Sequence, residues 1–334
     1  MNLAFYLNIS ANLLRKILLG ILLGSSVISY PLFALDESWP NKPIKMLIGF
    51  PPGGGSDLVA RLMAKELGDR LNQNVLVDNR PGAGGNIASD IAAKSSPDGY
   101  TLLFISSAHS SSSAMKKDLP FNPVDDFSWL SAVVTYPLVV LASSNGDIKS
   151  FDDFISKAKE NPGKYTFSSS GVGTAMHLVG QWMMSEAGLD VVHVPFKGGT
   201  APITELIAGR VDLMVDTMPL GSGIIKDGRA KGIGATAPKG VVSAFNIPSI
   251  ENSVPGIEFL SWLGIAGPAN MSPLIRDRLN KEINYILSKP EVKRRLNDLG
   301  TTPYGTSPEE FKVIVTNNIS FFKKVIAKEK IIQN

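Results

Sequence analysis

Apolar residues fall into short blocks along this chain, and the spacing inside each block predicts its conformation. Residues 44–50 (Ile-Lys-Met-Leu-Ile-Gly-Phe) read as a strand that ends at a proline- and glycine-rich turn, Pro51-Pro-Gly-Gly-Gly55. In the segment that follows, Leu58, Val59, Leu62, Met63 and Leu67 recur at helical spacing on one face, and Ser56 or Asp57 is a suitable residue to cap that helix. A short strand at 75–78 leads to a second glycine turn, Pro81-Gly-Ala-Gly-Gly85, a helix over 86–94 and a strand over 100–105. The last of these is apolar throughout, as expected of a strand covered on both faces. This alternation of strand and helix predicts a parallel sheet with helices on each side.

The pattern then repeats. A strand over 137–143 follows a stretch read as loop. A helix over 150–160 has Ser150 and Asp153 placed like a capping box. Strands are expected at 165–168, 191–194, 211–215 and 232–236, with helices at 174–187, 200–208 and 221–227 between them. One more strand over 261–266 precedes helices at 273–288, 291–299 and 308–328. No glycine/serine linker separates the two α/β sets, which suits two lobes joined by strands that cross out and back near 138–143 and 259–265. The expected division is a signal peptide over 1–34, a first lobe over 35–138 and 261–334, and a second lobe over 139–260.

Composition narrows the classes of function. The 334 residues contain no cysteine, which excludes disulfides, thiolate metal sites and a cysteine nucleophile. His109, His177 and His193 are the only histidines, and they lack metal-ligand spacing. The net charge is +3 with the basic residues scattered, so no nucleic-acid-binding patch is present. Arg15 and Lys16 precede an apolar run over 17–30, then Pro31-Leu-Phe-Ala34 and a polar stretch. That is the order of a secretory signal cleaved after about Ala34, and it predicts a periplasmic protein.

Four motifs offer binding chemistry. Phe50-Pro-Pro-Gly-Gly-Gly-Ser-Asp57 places Gly53, Gly54 and Ser56 at the positive start of a helix, a setting for an anionic group. It is neither a Walker A loop nor a dinucleotide fingerprint, because no Gly-Lys-Ser/Thr and no G-x-G-x-x-G is present. Asp57 would repel an anion unless its carboxylate turns away. Ser168-Ser-Ser-Gly-Val-Gly-Thr174 repeats the design in the second set, with Ser170, Gly171, Thr174 and, one turn on, His177. Ser106, Ser107 and Ala108 end an apolar strand, where ligands sit in open parallel sheets; the following run 110–113 reads as flexible loop. Asp216 ends another strand. A Ser170–His177 pair leaves open an exported hydrolase, although no G-x-S-x-G elbow and no orienting acid are evident.

Several stretches, in order, resemble the Bug family of periplasmic receptors, the TctC-like substrate-binding proteins of tripartite tricarboxylate transporters. They are Trp39-Pro-x-Lys-Pro-Ile44, 50–57, Asp78-Asn-Arg-Pro-Gly-Ala-Gly-Gly-Asn86, Pro97-Asp-Gly-Tyr-Thr-Leu-Leu103, Gly171-Val-Gly-Thr-Ala-Met-His-Leu178, Val194-Pro-Phe-Lys-Gly-Gly-Thr-Ala201 and Gly209-Arg-Val-Asp-Leu-Met214 with Asp216. The resemblance runs from about Trp39 to Ala327. It implies a type II periplasmic binding protein fold, with two α/β lobes joined by crossover strands and a ligand cleft between them. It also implies a monomeric receptor, not an enzyme and without cofactor or metal, that captures a small carboxylate such as an organic acid, an amino acid or an aromatic acid. Its partners would be the transporter's membrane subunits or, for a ligand sensor, a sensor kinase. Carried over by position, Phe50, Gly53, Gly54, Ser56, Ser106, Ser107 and Ala108 would form one wall of the pocket. Ser170, Gly171, Thr174, His177 and Asp216 would form the other. Family members use backbone amides and ordered water rather than an arginine clamp, in keeping with the lack of arginine in both glycine motifs. Thr174 stands where serine is more usual, and 106–113 is richer in serine than the family pattern.

Overall fold

Strand β1 (Ile44–Ile48) lies between β2 (Val75–Asn79) and β3 (Thr101–Ser106), all three parallel, in a computed structural model that describes residues 39–116, 118–239 and 245–331. Helices α1 (Gly55–Leu71) and α2 (Asn86–Ala93) connect these strands. Four of the five β1 residues are buried, which is why its sequence is nearly continuous hydrocarbon rather than alternating. The first lobe's sheet continues through β9 (Leu260–Pro268), antiparallel to β3, to β4 (Phe127–Ser143). A two-residue β10 (Thr302–Pro303) adds to β4 as well.

Strand β4 carries the chain between lobes. Its first part, through Pro137, pairs with β9; from Leu138 to Ser143 it pairs instead with β7 (Leu213–Thr217) and β8 (Ala230–Ala235). The second lobe's sheet then runs from β7 to β5 (Thr166–Ser169) and β6 (Val192–Pro195), these last three parallel. Helices α4 (Phe151–Glu160), α5 (Ala175–Glu186), α6 (Ala201–Ile207) and α7 (Met218–Lys226) complete this lobe. Its chain returns at Phe259. Thr236 fastens the two crossings together: its Oγ1 accepts from Leu138 N–H at 2.9 Å and donates to the Phe259 carbonyl at 2.6 Å.

Helices α8 (Pro273–Ser288), α9 (Pro290–Asp298) and α10 (Pro308–Lys328) follow. Phe311 of α10 is fully buried between Trp129 and Trp262, edge-on to both at centroid distances of 5.3 and 5.2 Å, a favoured aromatic geometry. The far end of α10 reaches the second lobe, where Phe321 meets Trp182 at 5.6 Å and Lys328 pairs with Glu186.

Three local expectations need correction. The strand expected at 137–143 begins ten residues earlier, because Phe127–Tyr136 pairs with β9 while bulges bend it. The serine run is no loop: Ser107–Met115 is a buried helix, α3. Serine is a weak helix former because its hydroxyl competes for backbone groups. Here Ser106 caps the helix through Ala108 N–H, and Ser111 and Ser112 bond back to carbonyls three residues earlier. The small side chains also let α10 approach so closely that Ser110 Oγ reaches the Val315 carbonyl at 3.4 Å. Finally, α1 is capped by neither Ser56 nor Asp57; Gly54 is its N-cap, with no side-chain bond. No helix among the described residues is long and apolar enough to cross a membrane. The expected signal segment, 1–34, lies outside the described residues.

Candidate functional site

The start of α1 faces the end of β7 across the two lobes. With no side chain capping α1, its first N–H groups keep their donor capacity and the positive end of its dipole points into the gap. Asp57 does not oppose this. Its carboxylate is buried and turned away, receiving hydrogen bonds from Arg61 Nε at 2.8 Å, Gly53 N–H at 3.0 Å and Asn79 Nδ2 at 3.0 Å. Burial alone would raise its pKa; those bonds and the guanidinium charge outweigh it and hold the carboxyl below its ordinary value.

Between α1 and β7 lies a pocket of about 30 Å³. The first lobe supplies Phe50, Gly54, Gly55 and Ser56, together with Ser106, Ser107 and Ala108 from the start of α3. The second lobe supplies Ser170, Met176, Gly198, Gly199, Asp216, Thr217 and Leu220. Tyr136 and Ser261, next to the crossings, complete the lining. No lysine or arginine is among these residues. The hydroxyls form a chain: Ser107 Oγ and Ser261 Oγ are 2.6 Å apart, and Ser261 also bonds the Tyr136 phenol. Burial pushes that phenol well above its ordinary pKa, so it stays protonated.

Asp216 is the pocket's one titratable carboxylate. Burial pushes it up to about 6, offset in part by hydrogen bonds from Thr217 and Ser170. Thr217 donates to Oδ1 through its N–H at 2.6 Å and its hydroxyl at 3.1 Å, and Ser170 Oγ donates to Oδ2 at 3.0 Å.

The family described as TctC, the tripartite tricarboxylate transporter family receptor, matches residues 59–331. This chain belongs to that receptor family. A protein of Pseudomonas sp. (strain P51), named for the tcbD-tcbE intergenic region, is 31% identical to the receptor over 322 residues, 96% of each chain. An R. palustris protein solved with adipate superposes with a TM-score of 0.84 at 26% identity, covering 87% of this chain and 98% of its own. MatC from Rhodopseudomonas palustris, solved with bound malate, gives a TM-score of 0.80 at 25% identity, covering 86% and 100%. The fold is that of the periplasmic binding proteins, and the family is one of solute receptors rather than enzymes.

Of the twelve positions expected to bind ligand in this receptor, Phe50, Gly54, Ser56, Ser106, Ser107, Ala108, Ser170 and Asp216 line the pocket. Gly171 lines a wider cleft beside it. Three do neither. Gly53 has φ +79° and spends its N–H on Asp57. Thr174 is wholly buried, its hydroxyl donating to the Gly171 carbonyl at 2.7 Å and accepting from His177 N–H at 3.4 Å, so it serves as the α5 cap. His177 stacks on His193 at 4.2 Å, and its Nδ1 accepts from Gly173 N–H at 3.2 Å. These bonds also decide against the hydrolase alternative, since Ser170 donates to Asp216 and the His177 Nδ1 is occupied by a backbone amide.

Sequence reasoning missed Gly55, Tyr136, Met176, Gly198, Gly199, Thr217, Leu220 and Ser261. Gly198 and Gly199 stood inside the family motif at 194–201 and both have φ above +70°, so a glycine requirement was a signal. Tyr136 and Ser261 gave none, because they reach the pocket only where crossing strands pass beneath it.

Proposed function

We propose that this receptor works in the periplasm, holds one small carboxylate between its lobes, and delivers it to the membrane subunits of a tripartite tricarboxylate transporter. One observation carries the reading: the uncapped start of α1 and the Ser106–Ala108 turn of one lobe face Ser170 and Thr217 of the other across a pocket that no cationic side chain enters. Helix N-termini and hydroxyls suit a carboxylate, whose oxygens accept several hydrogen bonds at once. Neither lobe offers the full set, so an anion favours the arrangement in which both contribute. The adipate and malate found in two related structures support the same ligand class.

The test is calorimetric titration of the purified mature receptor with a panel of organic acids. A ligand at 100 times its Kd should add about 2.7 kcal/mol of stability. Response to sugars or metal ions but to no acid would overturn the reading. Gly54→Val probes the site directly. Gly54 has an ordinary φ of −78° and a Cβ there would meet only the Pro51 carbonyl, at 3.6 Å. The larger side chain therefore leaves the backbone unstrained while occupying pocket space, and acid binding should be lost with little change in stability. Mass analysis of the exported protein, expected to lack about the first 34 residues, tests the location.

A further inference from the structure

The pocket at the helix starts is too small for a whole acid. At about 30 Å³ it has room for about two water-sized groups, enough for one carboxylate. The rest of the ligand must lie elsewhere, and the structure offers one continuation. Phe50 and Ser170, which line the pocket, also line a cleft of about 790 Å³ between the lobes, a volume within the usual range for small-molecule sites.

The walls of this cleft differ from those of the pocket. Pro51 and Met115 of the first lobe face Val172 and Phe196 of the second, so its middle is hydrocarbon. Two cations stand along it: Lys116, at the C-cap of α3, and Lys197, in the turn after β6. They come from opposite lobes and are exposed. Among the described residues, neither has a carboxylate within ion-pair distance. The cation-free pocket and the lysine-bearing cleft thus form one channel with donors at both ends and an apolar middle.

We propose that the ligand is an elongated dicarboxylate. Resting on the carboxylate reading above, the inference places one carboxylate at the starts of α1 and α3. An apolar spacer lies along Phe50, Met115 and Phe196, and the second carboxylate sits between Lys116 and Lys197. Each buried methylene of the spacer adds roughly fourfold to affinity. An exposed lysine adds less, up to roughly fivefold, but it reverses a preference. In a purely apolar cleft a monoacid would bind at least as well as the diacid of the same length, because the diacid has a second charge to desolvate.

The experiment is calorimetric titration with three acids that separate these contributions, succinate, octanoate and suberate, and with a rigid pair, terephthalate and 4-methylbenzoate. At least one elongated dianion should bind tenfold or more tightly than both succinate and its own monoacid partner. The Lys116→Met/Lys197→Met double variant keeps the aliphatic stems. It should lose about tenfold toward that dianion while staying within twofold of the parent toward the monoacid. If succinate binds best, if monoacid and diacid bind equally, or if the double variant binds the dianion unchanged, the extended site is wrong and carboxylate capture in the pocket stands. If no acid in the panel binds the folded receptor, both readings fall.

Discussion

Gly55 and Thr217, from opposite lobes, approach so closely that a Cβ on the glycine would lie 2.4 Å from the threonine Oγ1 and 3.3 Å from the Leu220 nitrogen. The Thr217 hydroxyl cannot simply swing aside without leaving Asp216 Oδ1, to which it donates. Gly55→Val should therefore hold the lobes apart. The expected result is at least a tenfold loss of ligand affinity by calorimetry, with the unliganded melting temperature shifted by only a few degrees, because neither lobe's own core changes. Parental affinity in this variant would mean that the bound state does not use this contact.

Asp216 provides a stability test with a defined sign. Its folded pKa, about 6, lies above the ordinary carboxyl value of 3.8 because burial penalises the charge. Between those two values the native state holds a proton that the unfolded chain has released. Stability from this group therefore falls as pH rises from about 4 to 6 and stays low above that. A shift of this size corresponds to roughly 3 kcal/mol. Asp216→Asn should raise stability at pH 7 by up to about that amount and bring little gain at pH 4, as measured by denaturant unfolding.

The histidines act in the opposite direction. Burial lowers His109 and His177 to about 4; burial and then the neighbouring His177 lower His193 to about 3. Each is held neutral by its contacts: His109 Nε2 donates to the Pro123 carbonyl at 2.8 Å, and His177 Nδ1 accepts from Gly173. Below about pH 6.5 the unfolded chain takes up protons that the native state refuses, so stability falls as pH drops toward 4. With three groups against one, this trend should outweigh that of Asp216. Unfolding free energies at pH 7 and 4.5 should show the loss, and His193→Asn should reduce its slope.

Phe311 tests the first lobe's core. It is fully buried between two indoles, and a Cβ on Gly264 would clash with its ring, so its surroundings are tightly filled. Phe311→Ala should cost about 3–5 kcal/mol, the transfer loss plus the cavity left behind, read as a lower denaturant midpoint with an unchanged slope.

Elements built by neighbours in the chain were the legible ones. The Val-, Ile- and Leu-rich strands, the helical stripe from Leu58 to Leu67, and the Ser150 cap, which accepts from Asp153 N–H at 3.1 Å, are all local patterns. The helix over Ser107–Met115 was not, because its stability comes from Val315, Asn86 and Gly173, each distant in sequence. The candidate site divides the same way. Gly54, Ser56 and Ser170 sit at turns that advertise themselves. Thr217 and Leu220 matter only because β7 ends opposite α1.

By itself the sequence determined two α/β sets, their strand and helix order, and the glycine turns that open helix starts, because these follow from periodicity and backbone freedom within a few residues. Only the tertiary structure decided that β4 serves both sheets, that Thr236 ties the two crossings, that Asp57 turns away from the gap and that Thr174 and His177 stay out of it. Those outcomes depend on hydrogen bonds and packing between segments far apart in the chain, where no local pattern records which groups will meet.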